Sequence, residues 1–304
     1  PLYTDNAMDW LSAAQVAGMP MSVTEWNAEP FPLPDRHTLP MYIASRASAQ
    51  GWDAMMQYAY SQEPLKAPTQ WEGRPSNWHA YNDPAMLATM PAAALMFRRG
   101  DVEEAKSTYA LNLGYGLFNN HISPSNSAFI RTASELGKLT IMMPSIKELP
   151  WLKKSSVGKN TKVFSDQNKS LIQQNVASIG SDNKELSRNW EQGYSTINTP
   201  RTQAAIGWIG GEKLILNDVE ISASTRNASI IVQSLDEVPI HQSRNILISL
   251  AARSVPKSGD KLPFLSEPVE GQLKIKANKG LKLIKQGANQ GKVVPALYKD
   301  GHYL

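Results

Sequence analysis

Two apolar runs constrain this chain more than anything else in it. They are PMSVTEW at 20–26 and GWDAMMQYAYS at 51–61, and each lies between helical patterns joined to it by short links. The preceding stretch, DNAMDWLSAAQVAGM, predicts a helix capped by Asp5 or Asn6 and ended by Gly18. HTLPMYIASRASAQG predicts a second helix ending at Gly51. DPAMLATMPAAALMFRRG predicts a third, with Asp83 as N-cap, Pro84 at the favoured first position and Gly100 as the stop. The second apolar run barely alternates, as expected of a strand covered on both faces. Helix, strand, helix, strand, helix with short links means a parallel sheet with helical crossovers. Two strands cannot complete such a sheet, so residues 1–100 are expected to be the closing segment of a larger α/β unit.

The texture changes after Asp101. EEAKSTYALNLG reads as a strand, and SAFIRTASELGKL is compatible with a helix. From about Lys162, short alternating runs follow one another: TKVFS, GYSTIN, AAIGWIGG, ASIIVQSLD, NILISLAAR, GQLKIKA and GLKLIKQ. Turn residues separate them at the spacing of a β-sandwich. The expected fold class is α/β plus all-β, with residues 101–304 forming a β-sandwich domain behind a less regular lead-in over about 101–160.

Charge divides in the same place. Of 31 Lys and Arg and 27 Asp and Glu in the chain, residues 1–105 hold 6 and 12, so the first region is acidic and the rest basic. Trp10, Trp26, Trp52, Trp71 and Trp78 all fall in the first region. The chain has no cysteine, which excludes thiol catalysis and disulfides while leaving the compartment open. No HExxH or related spacing predicts a metal site, and no P-loop, dinucleotide fingerprint or GxSxG elbow is present. No apolar run is long enough for a membrane helix, and the first residues carry no secretory pattern. The Lys-rich run at Lys274–Lys285 alternates with Leu273 and Ile275, which reads as the solvated face of a strand rather than a nucleic-acid patch.

Glu25 is the residue with most chemical promise. It ends the first apolar run, Trp26 and Asn27 follow it, and Trp52 opens the next run. Retaining glycoside hydrolysis uses two carboxyl groups about 5–5.5 Å apart. In a (β/α)8 barrel, catalytic groups stand at the C-terminal ends of strands. Aromatic faces beside such a carboxylate suit sugar rings. The structural alternative is a glutamate that caps a helix or pairs with Arg36.

SVTEWN resembles the motif that ends the seventh strand in retaining (β/α)8 glycoside hydrolases, the clan of beta-galactosidases, cellulases and agarases. GWDAMMQYAYS looks like the eighth strand, and NDPAMLATMPAAALMFRRGDV like the last barrel helix. INTPRTQAAIGWIGG and SLDEVPIHQSRNILISLAAR are similar to C-terminal sandwich domains of bacterial members. The resemblance implies a partial (β/α)8 barrel and a double-displacement hydrolase with Glu25 as nucleophile. Its substrate is an oligosaccharide or polysaccharide, and no metal or organic cofactor is implied. Trp26, Asn27, His37, Trp52, Tyr58, Trp71 and Trp78 are the expected substrate-binding residues. The clan's acid/base glutamate follows an asparagine, and no Asn-Glu pair occurs here. The acid is therefore expected from upstream sequence or a partner chain, with Glu63 or Glu29 as in-chain candidates. A non-catalytic carbohydrate-binding or structural module is the other expectation. An unfinished barrel edge predicts a homo-oligomer. A bacterial periplasmic or extracellular setting is expected over a cytoplasmic one.

Overall fold

The computed structural model describes residues 7–28, 31–62, 75–113, 126–142, 158–259, 261–286 and 291–304. The alternation of the first hundred residues is realised as α1 (Ala7–Ser12), β1 (Ser22–Trp26), α2 (Leu39–Gln50), β2 (Ala54–Gln57) and α3 (Pro84–Arg99). β1 and β2 pair in parallel, Ser22 opposite Ala54 and Trp26 opposite Gln57, with α2 as the crossover. The helix ends follow the local chemistry. Asp83 accepts from the amides of Ala85 and Met86, and Gly100 adopts the left-handed conformation, φ 62°, that closes α3. Gly51 does the same for α2 at φ 72°.

Residues 108–164 add a second parallel unit where a less regular lead-in was expected. It comprises β3 (Thr108–Asn112), α4 (Ala128–Leu136), β4 (Lys138–Met142) and β5 (Thr161–Phe164), in the order β4-β3-β5. Phe129, Ile130 and Ala133 of α4 bury against Leu111, Leu139 and Ile141. Val16 bridges in parallel to Ile141, which fastens the turn after α1 to the free side of β4. Two parallel groups therefore flank α2, and among the described residues no barrel closes.

The remaining chain is β-rich. β6 (Ser178–Gly180), β7 (Leu186–Asn189), β8 (Tyr194–Asn198) and β9 (Thr202–Gly207) precede β10 (Lys213–Ile215), β11 (Val219–Ala223), β12 (Ala228–Ser234) and β13 (Ile246–Ala252). β14 (Ser254–Ser258) and β15 (Lys261–Ser266) form a separate hairpin. β16 (Gly271–Lys276), β17 (Leu283–Lys285), β18 (Lys292–Val294), β19 (Tyr298–Lys299) and β20 (His302–Tyr303) complete the chain. The two main sheets are antiparallel: six strands in the order β13-β12-β9-β8-β7-β6, and five in the order β10-β11-β16-β20-β19.

One core joins these sheets, with Ile230 and Val232 of β12 packed among Val219, Ile221 and Ile275 of the five-stranded sheet. The opposite face of the six-stranded sheet takes a second load. Ile197, Ala204, Ile206 and Ile231 pack on Met41, Ala44, Ala92, Ala93 and Met96 of α2 and α3. Coverage on both sides explains why β9 and β12 are buried at every position and read as continuous apolar runs. It also explains the Ala- and Ser-rich composition of α2. One side of that helix meets Val23 and Trp52, the other meets the sheet, and only small residues allow both approaches.

Polar groups fix the joints. Asp101 bonds Thr202 Oγ1 at 2.7 Å and Arg201 at 2.9 Å, and also pairs with Arg99, tying the end of α3 to β9. Glu135 of α4 receives Arg46 of α2 at 3.0 Å and also pairs with Arg188 of β7. Gln50 donates to Gly137 O at 2.7 Å and accepts from Leu139 N at 2.8 Å, which seats α2 on β4.

Candidate functional site

The C-terminal ends of the neighbouring strands β1 and β2 carry a carboxylate and an aromatic pair respectively. Between Val23 and Trp26 the pairing slips, so that three steps on β1 match two on β2. Such a bulge resets the alternation and re-aims side chains. Val23 and Trp26 both join the cluster under α2, while Thr24 and Glu25 between them are exposed. Glu25 thus leaves the sheet toward solvent because of one extra residue in its strand. Among the described residues its carboxylate takes part in no ion pair or side-chain hydrogen bond.

The platform belongs to β2 and the loop before α3. Tyr58 and Trp78 meet edge to face, centroids 5.7 Å apart at 78°, and remain 37% and 40% exposed. Tyr60 and Tyr81 extend it, 6.2 Å apart. Backbone bonds from Ala80 N to Ala59 O and Tyr81 N to Tyr60 O, both 3.1 Å, hold the two segments together. The Tyr58–Ala59 peptide is cis. Gln62 donates to the Tyr58 hydroxyl at 2.9 Å.

Asn27 locks carboxylate and platform into one frame. Its Nδ2 donates to Asn77 O at 2.6 Å and to Tyr58 O, and its Oδ1 accepts from Ala28 N at 2.7 Å. The amide two residues after Glu25 therefore fixes the backbone on which both aromatic rings are carried. Asn27 is half-buried, and its side-chain amide is spent on these backbone bonds.

Other expected site residues lie elsewhere. His37 is fully buried, with Nδ1 2.8 Å from Ser229 Oγ on β12, so it borders no open subsite. Burial, and then the charge of Arg36, pushes its pKa down from 6.5 to about 4. Trp52 is 4% exposed in the cluster under α2, and its indole donates to Gln15 Oε1 at 2.9 Å. It is a core residue, held under α2 where the chain passes from that helix into β2. Trp26 is half-buried in the same cluster, and its indole N–H is buried without a partner. Glu29, Glu63 and Trp71 lie outside the described residues.

Arg36 does not pair with Glu25. Its guanidinium clasps Asp83 through two bonds of 2.5 and 2.6 Å, reaches Ser254 O at 2.5 Å, and sits between the rings of Phe31 and Phe264. Asp83 is both helix cap and ion-pair partner. The sequence reading missed Tyr60, Tyr81 and Gln62. An aromatic at every second position of YAYS was the available signal, since alternation puts Tyr58 and Tyr60 on one side of an extended segment.

Among the described residues, no group of three His, Cys, Asp or Glu residues is arranged to hold a metal ion, and no helix is long and apolar enough to cross a membrane. The chain matches no known protein family, no curated protein and no solved structure.

Proposed function

We propose that residues 1–100 are the closing segment of a (β/α)8 glycosidase barrel and that Glu25 is the nucleophile of a retaining glycoside hydrolase. One observation carries the reading. A free carboxylate stands at the C-terminal end of a parallel strand, and an exposed Tyr–Trp pair stands at the same end of its neighbour. A pyranose stacked on that pair would present its anomeric carbon toward the carboxylate side of the sheet. Glu25 would attack that carbon and form a covalent glycosyl-enzyme while a second carboxylic acid protonates the leaving oxygen. The same acid, as its conjugate base, would then take a proton from water.

The second carboxyl group is the open part of the mechanism. Asp53 accepts from Met21 N at 2.9 Å at the opposite end of the sheet, and Asp83 is held by Arg36. Neither can serve. The acid would come from upstream sequence, from a partner chain, or from Glu63 or Glu29. The same fact favours a second reading for this chain alone, a sugar-binding module without turnover. In either reading the edges of β1 and β2, unpaired among the described residues, suit pairing with further strands, so an assembly larger than one chain is proposed.

Activated aryl glycosides of several sugars, assayed with this chain and with any upstream coding region restored, test the proposal. Turnover that Glu25→Gln abolishes while the unfolding midpoint stays put is the expected result. Glu25→Gln turnover within a few-fold of the parent would remove Glu25 from the chemistry. Aromatic-dependent sugar binding with no turnover in any form would leave the binding module.

A further inference from the structure

β17 and β18 form a two-stranded hairpin that no third strand joins among the described residues. Its roots are fixed to the sandwich. The amides of Gly280 and Leu281 donate to the Tyr303 hydroxyl at 2.8 and 2.6 Å, and Leu281 packs on the core between the two main sheets. On the return side Leu297 and Leu304 exchange backbone hydrogen bonds of 3.1 and 2.8 Å. Beyond these anchors the hairpin stands alone, and a lone two-stranded ribbon is at best marginally stable in water.

Register sorts its side chains, because residues directly opposite in an antiparallel pair share a face. Ile284 and Val293 oppose each other and are 46% and 56% exposed. Leu283, 39% exposed, opposes Val294 on the other face. Next to them on that face, Lys285 opposes Lys292. Like charges set directly opposite each other are destabilising. Neither lysine takes part in an ion pair among the described residues, so nothing there offsets the repulsion.

Charge around the hairpin has one sign. From Gly271 to Leu304 the chain holds seven lysines and a single acidic residue, Asp300. Lys274 is spent on Glu220 at 2.7 Å. Lys276, His302 and Lys299 face one another across β16, β20 and β19 on the outer side of the sheet, since Ile275 and Tyr303 turn into the core. A soluble polyanion would use these cations and leave Leu283, Ile284 and Val293 in water. A protein groove would cover one face of the ribbon, and the apolar groups stand on both. The interface of an anionic bilayer takes both kinds at once. Aliphatic side chains enter the acyl boundary while lysine stems reach back to the phosphates.

We infer that the β17–β18 hairpin docks the protein on an anionic lipid surface, with Leu283, Ile284 and Val293 entering the interface and Lys282, Lys285 and Lys292 on its phosphates. Its strands of three residues are far short of the about 9–11 that cross a bilayer, so the contact is peripheral. The inference stands whether or not Glu25 is catalytic.

Co-sedimentation of the full chain with vesicles of phosphatidylcholine, alone or mixed with phosphatidylglycerol, at about 0.15 M salt tests it. Binding to the mixed vesicles alone is expected. Lys282→Gln/Lys285→Gln/Lys292→Gln should weaken it at least tenfold, and Ile284→Ser/Val293→Ser on the order of tenfold. Lys159→Gln/Lys257→Gln/Lys261→Gln, which removes three exposed lysines elsewhere, should leave it within about twofold. All the substituted side chains are exposed, so the variants should fold, which circular dichroism would check. No binding to the mixed vesicles would overturn the inference, as would an equal loss in the control variant. Binding indifferent to Ile284→Ser/Val293→Ser, with lysine-dependent retention on heparin, would replace the bilayer with a soluble polyanion. A concentration-dependent mass in light scattering that Ile284→Ser/Val293→Ser abolishes, without vesicle binding, would give the hairpin to a second copy of the chain.

Discussion

Glu25 and Asp83 are acidic residues in comparable sequence settings, each beside a strand end or loop and each flanked by aromatics within a few positions. In the structure they are opposites. Glu25 is exposed at the rim of a parallel sheet and, among the described residues, unpaired. Asp83 is 2% exposed, caps α3, and grips an Arg36 that is itself 2% exposed. The difference teaches how this region divides its labour. The Arg36–Asp83 clasp joins the loop after β1, the start of α3 and the β14–β15 hairpin through Ser254 and Phe264. It builds the scaffold, and Glu25 with Tyr58 and Trp78 forms the surface that scaffold displays.

Removing one half of the clasp should give the largest stability change. Arg36→Met leaves a buried carboxylate unpaired, and a loss of about 3–5 kcal/mol is expected in urea unfolding. Asp83→Ala should cost at least as much, because it also removes the N-cap. Glu25→Gln in the same assay should move stability by less than about 0.5 kcal/mol. Equal effects at the two positions would erase the distinction.

His37 sharpens the comparison through pH. Its folded pKa of about 4 lies below the ordinary 6.5, so the unfolded chain takes up a proton that the folded chain refuses. The contribution to stability is therefore full above pH 6.5 and is lost as pH falls from about 6.5 to about 4. The loss approaches about 3 kcal/mol. Unfolding midpoints across that window should fall in the parent and fall less in His37→Gln.

Asn27→Ala should cost about 1–2 kcal/mol, since Tyr58 O and Asn77 O lose their donor. More telling, it should weaken sugar binding at the platform although the Asn27 amide is spent on backbone bonds. Trp78→Ala should cost about 1 kcal/mol of stability, less than Asn27→Ala, while weakening sugar binding about 2- to 10-fold. Binding unaffected by both substitutions would separate Asn27 from the platform it is held to organise.

Much of the framework was legible because its signals are local. Asp83, Pro84 and Gly100 mark the ends of α3 through capping and left-handed backbone, and both act within one helical turn. The apolar runs at β1 and β2 and the alternating runs at β8, β9, β12, β13 and β16 were visible for the same reason, whereas β10, β11, β14 and β15 were not read. The parallel unit at 108–164 was harder to read. Its strands are only four or five residues long, and its pairing of β3 with both β4 and β5 joins residues far apart in sequence. His37 and Trp52 were misplaced because a lone imidazole or indole carries no local mark of which side of its element faces the core.

The order of helices and strands, the caps and the solvent-facing Lys alternation of β16 were determined by the sequence itself, since each depends on neighbours within a few residues. Which polar groups are buried was decided only by the tertiary structure. Arg36 meets Asp83 across 47 positions and Ser254 across 218, and His37 meets Ser229 across 192. A charge or an imidazole becomes structural or accessible according to what the distant chain lays over it.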